Sequence, residues 1–291
     1  MKTSSTDSIV TRELSTLLHP LYADVPSPPM RLWVEGRESA FALFERLPRD
    51  GLAVVGTRSP DRRSVYLVQE SLRSLRGTGR IIISGLARGI DSAAHEAALA
   101  AGLPTIAVLG CGIEQTYPPE NARLRARILD AGGLIVSEFP PSSTIHPSYF
   151  IQRNRLIVGY AQAVWIVQSG YRSGALNTAA RAKKMRRDLY VTPSFPGDPS
   201  FLGNESLLKK NEGEFSFWNA ESLASTWISL FSEIEMNRRE TADAKPLDLL
   251  LEIEHGIREG RSLLSILDQR STRTGEPVEE LIEKVERSAW S

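Results

Sequence analysis

The chain has 291 residues, 41% hydrophobic and 24% charged, which suffices for one large core and a smaller appendage. No run of about 18 apolar residues occurs and residues 1–8 are polar, so neither a membrane-spanning helix nor a secretory leader is expected and a cytoplasmic protein is expected. A single cysteine, Cys111, rules out an intramolecular disulfide, and the four histidines (His19, His95, His146, His255) lack metal-ligand spacing, so neither structural zinc nor a cofactor is expected.

The formal net charge of zero hides a division along the chain. Residues 1–211 carry 26 Lys and Arg against 18 Asp and Glu, whereas the remaining 80 carry 9 against 17. A basic front and an acidic tail fit a nucleic-acid-binding body joined to a module of another purpose.

In chain order, residues 1–25 read as a loosely attached arm, followed by a proline-rich link (Pro26, Pro28, Pro29), an edge strand over 30–36 and a short helix over 39–47. From residue 52 short β-rich apolar runs alternate with amphipathic stretches, the pattern of βαβ units around a parallel sheet. Strands are predicted at 52–55, 81–83, 105–109, 134–136, 163–167 and 189–191, and crossover helices at 64–76, 90–101, 120–131, 150–160 and 174–186. The tail reads as a helical stretch at 220–239, a linker at 241–246, then helices at 262–269 and 278–289 around a turn at 271–275, a candidate helix-turn-helix or winged-helix remnant. The fold class is thus α/β, a Rossmann-like, doubly wound and mostly parallel sheet. Three parts are expected: an arm and link (1–29), the Rossmann-like domain (30–219) and an acidic helical region (220–291).

Ligands of such sheets bind beyond the carboxyl ends of the strands, and four of those ends carry chemistry. Gly56-Thr57-Arg58-Ser59 combines close backbone approach, a hydroxyl and a guanidinium fork for phosphate. The segment 84–91 (SGLARGID), with Ser84, Gly85, Arg88, Gly89 and Asp91, has the spacing of a glycine-rich turn opening a helix whose free amides hold an anion. It is neither the dinucleotide fingerprint nor a P-loop; His95, one turn after Asp91, is placed to pair with it, and the two read equally as a helix cap with a histidine packed near it. Ser173-Gly174, with Asn177 and Thr178 following and Arg172 beside them, is a second helix start rich in small donors. Phe150, Arg153, Asn154 and Arg155 place an aromatic face next to two guanidinium groups and an amide. The basic cluster Arg181, Lys183, Lys184, Arg186, Arg187 reads as a solvated helix face, and Tyr117 to Asn121 as a proline-fixed loop.

In this order the segments 54–58, 84–91 with Ala94-His95, 117–121, Ser137-Glu138, Phe150 with Arg153-Asn154-Arg155, Ser173-Gly174 with Thr178-Ala179, and Gly203-Asn204 resemble the DNA-processing protein A (DprA/Smf) family. The resemblance implies a Rossmann-like domain that binds and protects single-stranded DNA, forms a homodimer and hands the strand to the RecA recombinase in transformation, without catalytic turnover. It assigns the DNA pocket to Arg58, the turn 84–91, Phe150 and the helix starting at Ser173. On that assignment, replacing Arg58 or Arg153 by alanine weakens DNA binding without unfolding the protein. The chain departs from the family pattern at 61–65, at Gln168-Ser169 and at 192–197.

Two rival readings come from other classes. Cytokinin-activating hydrolases carry a glutamate shortly after the matching helix start, whereas here Thr178 is followed by Ala179, Ala180 and Arg181, which leaves no general acid or base. A sensor of a small phosphate ligand, as in a defence system, would keep the pocket but show a shallow dependence of affinity on salt.

Overall fold

The computed structural model describes residues 8–16, 20–193, 198–210, 263–274 and 277–278. The chain divides into two compact units, 1–228 and 229–291. The first is built on eight strands: β1 (Ile9–Ser15), β2 (Arg31–Arg37), β3 (Gly51–Val55), β4 (Ile81–Ser84), β5 (Thr105–Leu109), β6 (Leu134–Ser137), β7 (Ala163–Ile166) and β8 (Asp188–Val191). They form one sheet in the order β1-β2-β6-β5-β4-β3-β7-β8, antiparallel for β1 with β2 and β2 with β6 and parallel elsewhere.

The inner strands read as unbroken apolar runs because helices cover both faces; every residue of β3, β4, β5, β6 and β7 is buried. Alternate side chains serve opposite cores. Ile106 and Val108 join a cluster with the 3-10 segment Glu38–Arg46, α4 (Pro147–Gly159) and α5 (Gly174–Lys184). Ala107 and Leu109 face Leu124, Ile128 and Leu129 of α3 (Ala122–Asp130), which packs beside α2 (Ile90–Ala101), itself beside α1 (Arg62–Ser74). From β3 the chain winds outward to β6 and then returns to the other side of β3 for β7 and β8, so the order reverses between β3 and β7.

The six predicted strands (β3 to β8) and five crossover helices lie where hydrophobic periodicity put them, α2 and β5 residue for residue. Three expectations change. Residues 9–15 are not a loose arm: the β-branched Ile9, Val10 and Thr11 open a seven-residue strand paired along β2, with the exposed Arg31 guanidinium 2.9 Å from Glu13. β2 is therefore not the edge, and Leu21, Tyr22 and Val25 of the supposed arm are buried in the core, Tyr22 hydroxyl 3.0 Å from that of Tyr160. A further helix, α6 (Leu202–Lys209), follows β8. The predicted helix over 39–47 is a 3-10 segment.

In the second unit a helix, α7 (Leu263–Thr274), occupies residues 271–274 of the turn expected at 271–275, with the Thr272 hydroxyl donating to the Asp268 carbonyl at 2.9 Å. The other predicted tail helices lie outside the described residues, apart from residues 277–278. No described helix is long and apolar enough to cross a membrane.

Candidate nucleic-acid cleft

A cleft of about 570 Å³ opens at the carboxyl ends of β3 and β7, where the strand order reverses. Four chain segments form its walls: Gly56, Thr57 and Arg58 after β3; Ala87 and Asp91 of the turn after β4; Phe150, Arg153 and Asn154 on α4; and Gly170 to Ala175 with Thr178 at the start of α5. Each is placed by local chemistry. Pro147 in its first turn and the His146 ring, whose Nδ1 accepts from the Ser148 amide at 3.3 Å, start α4 three residues before the predicted position. On α4 the residues 150, 153, 154 and 157 share one stripe, and all four line the cleft. Ser173 caps α5 by accepting from the Ala175 amide at 3.2 Å, leaving the positive end of the helix at the cleft wall.

Arg58 is exposed at the mouth, with its guanidinium carbon 5.8 Å from the centroid of the half-buried Phe150 ring. Arg172 is a second exposed cation in the lining. The wall thus combines an aromatic face, two guanidinium groups and a helix start.

The glycine-rich turn behaves differently. Gly89 has φ +78°, and a Cβ there would stand 2.3 Å from the Thr57 carbonyl oxygen, so only glycine lets this turn lie against the Gly56-Thr57-Arg58 loop. Three of its amides, however, are taken: Gly85 N–H donates to Asp91 Oδ2 at 3.1 Å, the Ala87 amide also bonds the Asp91 carboxylate, and Ile90 N–H donates to Thr57 O at 3.1 Å. The turn already cradles an anion, its own Asp91. Of the two helix starts expected to hold phosphate, the structure opens the α5 start to the cleft and closes the α2 start on itself. Asp91 caps the preceding turn and not the helix, since α2 starts after Gly89 without a side-chain cap.

Beneath the cleft, Arg153 is 3% exposed and donates to the Gly85 carbonyl at 2.9 Å and to that of Val108. Burial pushes the Asp91 carboxyl up and the Arg153 guanidinium down; the charge of each partly offsets the shift of the other. Arg153 lies at the floor of the cleft, with its Nη1 turned to two backbone carbonyls of the protein. His95 does not pair with Asp91. Thr105 gives its hydroxyl proton to Ile82 O at 2.8 Å, so the His95 Nδ1, 2.7 Å from that hydroxyl, is the donor of their bond; burial holds the ring neutral with a pKa lowered to about 3.

Ten of the sixteen predicted site residues line the cleft: Gly56, Thr57, Arg58, Asp91, Phe150, Arg153, Asn154, Ser173, Gly174 and Thr178. Six do not. Ser84 is fully buried and donates to Val54 O at 2.7 Å, and Gly85 and Gly89 shape the turn from behind. Arg88 points to the outer rim and pairs with Glu120. Asn177 accepts from Arg181 at 2.8 Å along α5. Arg155, two residues from Arg153 and so on another face of α4, is 5% exposed. It forms a bidentate pair with Glu138 at 2.5 and 2.7 Å and donates to the carbonyls of Pro26 and Ser27 at 3.1 Å, tying the N-terminal link to α4.

Tyr171, 69% exposed in the cleft wall, was not singled out from the sequence, although Tyr171-Arg172 repeats the aromatic-plus-arginine pairing seen at 150–155. Two departures from the family pattern meet behind the cleft. Asp61, which caps α1 by accepting from the Ser64 amide at 2.7 Å, donates its own amide to Gln168 Oε1 at 3.0 Å. Gln168 Nε2 reaches Ser200 Oγ at 2.9 Å, and Ser169 donates to Asn204 of α6 at 2.8 Å. Residues 194–197, in the third departure, lie outside the described residues. Of the basic cluster read as a solvated face, Lys183, Lys184 and Arg186 are exposed, whereas Arg181 and Arg187 are half-buried.

A doubly wound sheet with a cationic, aromatic-walled cleft at its switch point defines a Rossmann-like protein. A match to the DNA recombination-mediator protein A family spans residues 14–226, and the chain belongs to that family. It is 39% identical over 173 residues to protein Smf of Synechocystis, an alignment covering 60% of this chain and 43% of Smf. DNA processing protein A of Streptococcus pneumoniae superposes with a TM-score of 0.65 at 30% identity, covering 74% of this chain and 73% of that one. The protein of the same name from Helicobacter pylori, solved for its single-stranded DNA binding mode, gives 0.66 at 28% identity, covering 75% of this chain and 96% of that one. The chain spans about half the length of most of the curated relatives it matches.

Proposed function

We propose that the protein binds single-stranded DNA in the cleft between β3, α4 and α5, as a DNA-processing factor of transformation and recombination. The observation that carries this is the Arg58 guanidinium held 5.8 Å above the Phe150 ring beside the capped start of α5, which offers a stacking face and phosphate donors at one place. The Helicobacter pylori relative's single-stranded DNA binding supports the same reading. Strand protection, homodimer formation and transfer of the strand to RecA follow by family analogy. Action by binding and not by turnover follows by family analogy; among the described residues the cleft lining carries one carboxylate, Asp91, which accepts from backbone amides.

The test is binding of the purified chain to a fluorescent single strand and its duplex at low and moderate salt, with AMP as competitor. Preference for the single strand is expected, with a steep loss of affinity on adding salt and about a tenfold loss in Arg58→Ala, whose salt slope falls by about 0.7. Displacement by AMP with a shallow salt slope would instead favour a small phosphate ligand.

A further inference from the structure

We infer a second nucleotide subsite on the far side of Phe150, formed by Tyr117 and Arg88, in which Glu120 occupies the phosphate seat of the free protein. This rests on the strand-binding reading of the main cleft and extends it to a ligand of at least two nucleotides.

Beyond the main cleft lies a shallow hollow lined by Arg58, Ala87, Arg88, Tyr117, Pro118 and Phe150. Arg58, Ala87 and Phe150 also line the main cleft, so they form a wall shared by two adjoining depressions. Tyr117 is 37% exposed, and its ring centroid lies 5.4 Å from that of Phe150 at an interplanar angle of 50°. The rings touch, which leaves no room for a base between them. Each therefore offers its outer surface, Phe150 toward the main cleft and Tyr117 toward the hollow, one base apiece.

The loop that presents Tyr117 is held before any ligand arrives. Arg125 donates to the carbonyls of Ile113 at 2.6 Å and Gln115 at 2.9 Å, and Asn121 donates to the Leu86 carbonyl at 2.8 Å. A stacking face on a braced loop loses little conformational freedom on binding.

The cation of this subsite is Arg88. Its side chain is 60% exposed and pairs with the 49% exposed carboxylate of Glu120 at the rim of the hollow. A solvent-exposed ion pair of this kind is weak and exchangeable. A phosphate diester offers the same guanidinium the same oxygen geometry, so a strand passing from Phe150 to Tyr117 displaces Glu120 from Arg88. Glu120 thereby weakens only ligands long enough to reach Arg88 and leaves a mononucleotide in the main cleft unaffected.

The experiment compares the full-length wild type with Tyr117→Ala, Tyr117→Phe, Glu120→Gln and Arg58→Ala, using fluorescent oligothymidylate and, separately, thymidine monophosphate, with thermal melting as a folding control. Expected are about a tenfold loss of oligothymidylate affinity in Tyr117→Ala, recovery in Tyr117→Phe, unchanged monophosphate binding in both, and a severalfold gain for the strand in Glu120→Gln. If Arg58→Ala weakens strand binding while Tyr117→Ala and Glu120→Gln bind as wild type does, the second subsite is overturned and the main cleft stands. If the wild type fails to bind the strand, or Arg58→Ala is without effect, the main-cleft reading falls and the subsite with it.

Discussion

Replacing Arg153 by methionine separates a floor residue from a ligand contact. The substitution keeps the side-chain volume but removes the donors to the Gly85 and Val108 carbonyls and the charge that holds the Asp91 carboxyl down. Two buried acceptors lose their partners, and a buried carboxylate loses its compensating charge. Breaking an arrangement of this kind costs about 3–5 kcal/mol. For a domain of this size that lowers the melting temperature by roughly 6–20 °C. The sign with pH is specific. Asp91 is already raised by burial in the wild type, and its pKa rises further without Arg153, so the folded state keeps a proton that the unfolded chain releases near pH 4. The destabilisation is therefore largest at pH 8 and shrinks as pH falls through the folded pKa. Adding Asp91→Asn, which keeps an acceptor for the turn amides and carries no charge, recovers at least about 1 kcal/mol. Urea denaturation of the wild type, Arg153→Met and the double variant at pH 8 and pH 5 measures all three quantities. An Arg153→Met protein that unfolds with the wild type, or whose deficit grows toward pH 5, would refute the floor assignment and return Arg153 to the ligand.

Gly89→Ala is expected to cost about 1–3 kcal/mol and to lower strand affinity, because φ +78° and a Cβ 2.3 Å from the Thr57 carbonyl force the Arg58 loop to move; circular dichroism melting and the strand-binding assay check it. His95, neutral in the fold with a pKa of about 3, takes up a proton near pH 6.5 only when the chain unfolds, so it removes up to about 1.4 kcal/mol of stability per unit as pH falls below 6.5. The slope contributed between pH 6.5 and 5 should vanish in His95→Gln; equal slopes would exclude it. Arg155→Met, which breaks the buried pair with Glu138, should lower the melting temperature while leaving the salt slope of strand binding intact; a changed slope would place Arg155 at the ligand.

Much of the cleft was legible because it follows from local rules. Apolar runs of strand length located the parallel core, and the residues after those runs are the ones that meet at the switch point, Gly56 to Arg58 after β3 and Ser173-Gly174 at the start of α5. The helical repeat also carried more than was taken from it: Phe150, Arg153, Asn154 and Ile157 fall on one stripe of α4 and Arg155 does not. The edge strand β1 was missed because its alternation is weak, with only Val10 and Leu14 partly covered, and its pairing with β2 depends on a strand 22 residues further on.

Residue types and spacing determined the sheet, the crossover helices and the short list of donors and aromatic faces, since these rest on periodicity and on chemistry within a few residues. Tertiary structure decided which members of that list meet a ligand. Asp91 folds back into the amides of its own turn, Arg153 is drawn under the cleft by two carbonyls from different strand ends, and Arg155 is claimed by Glu138 and the N-terminal link. In each case a buried polar group must satisfy its hydrogen bonds, and the partners that do so are distant in the chain, beyond the reach of any local pattern.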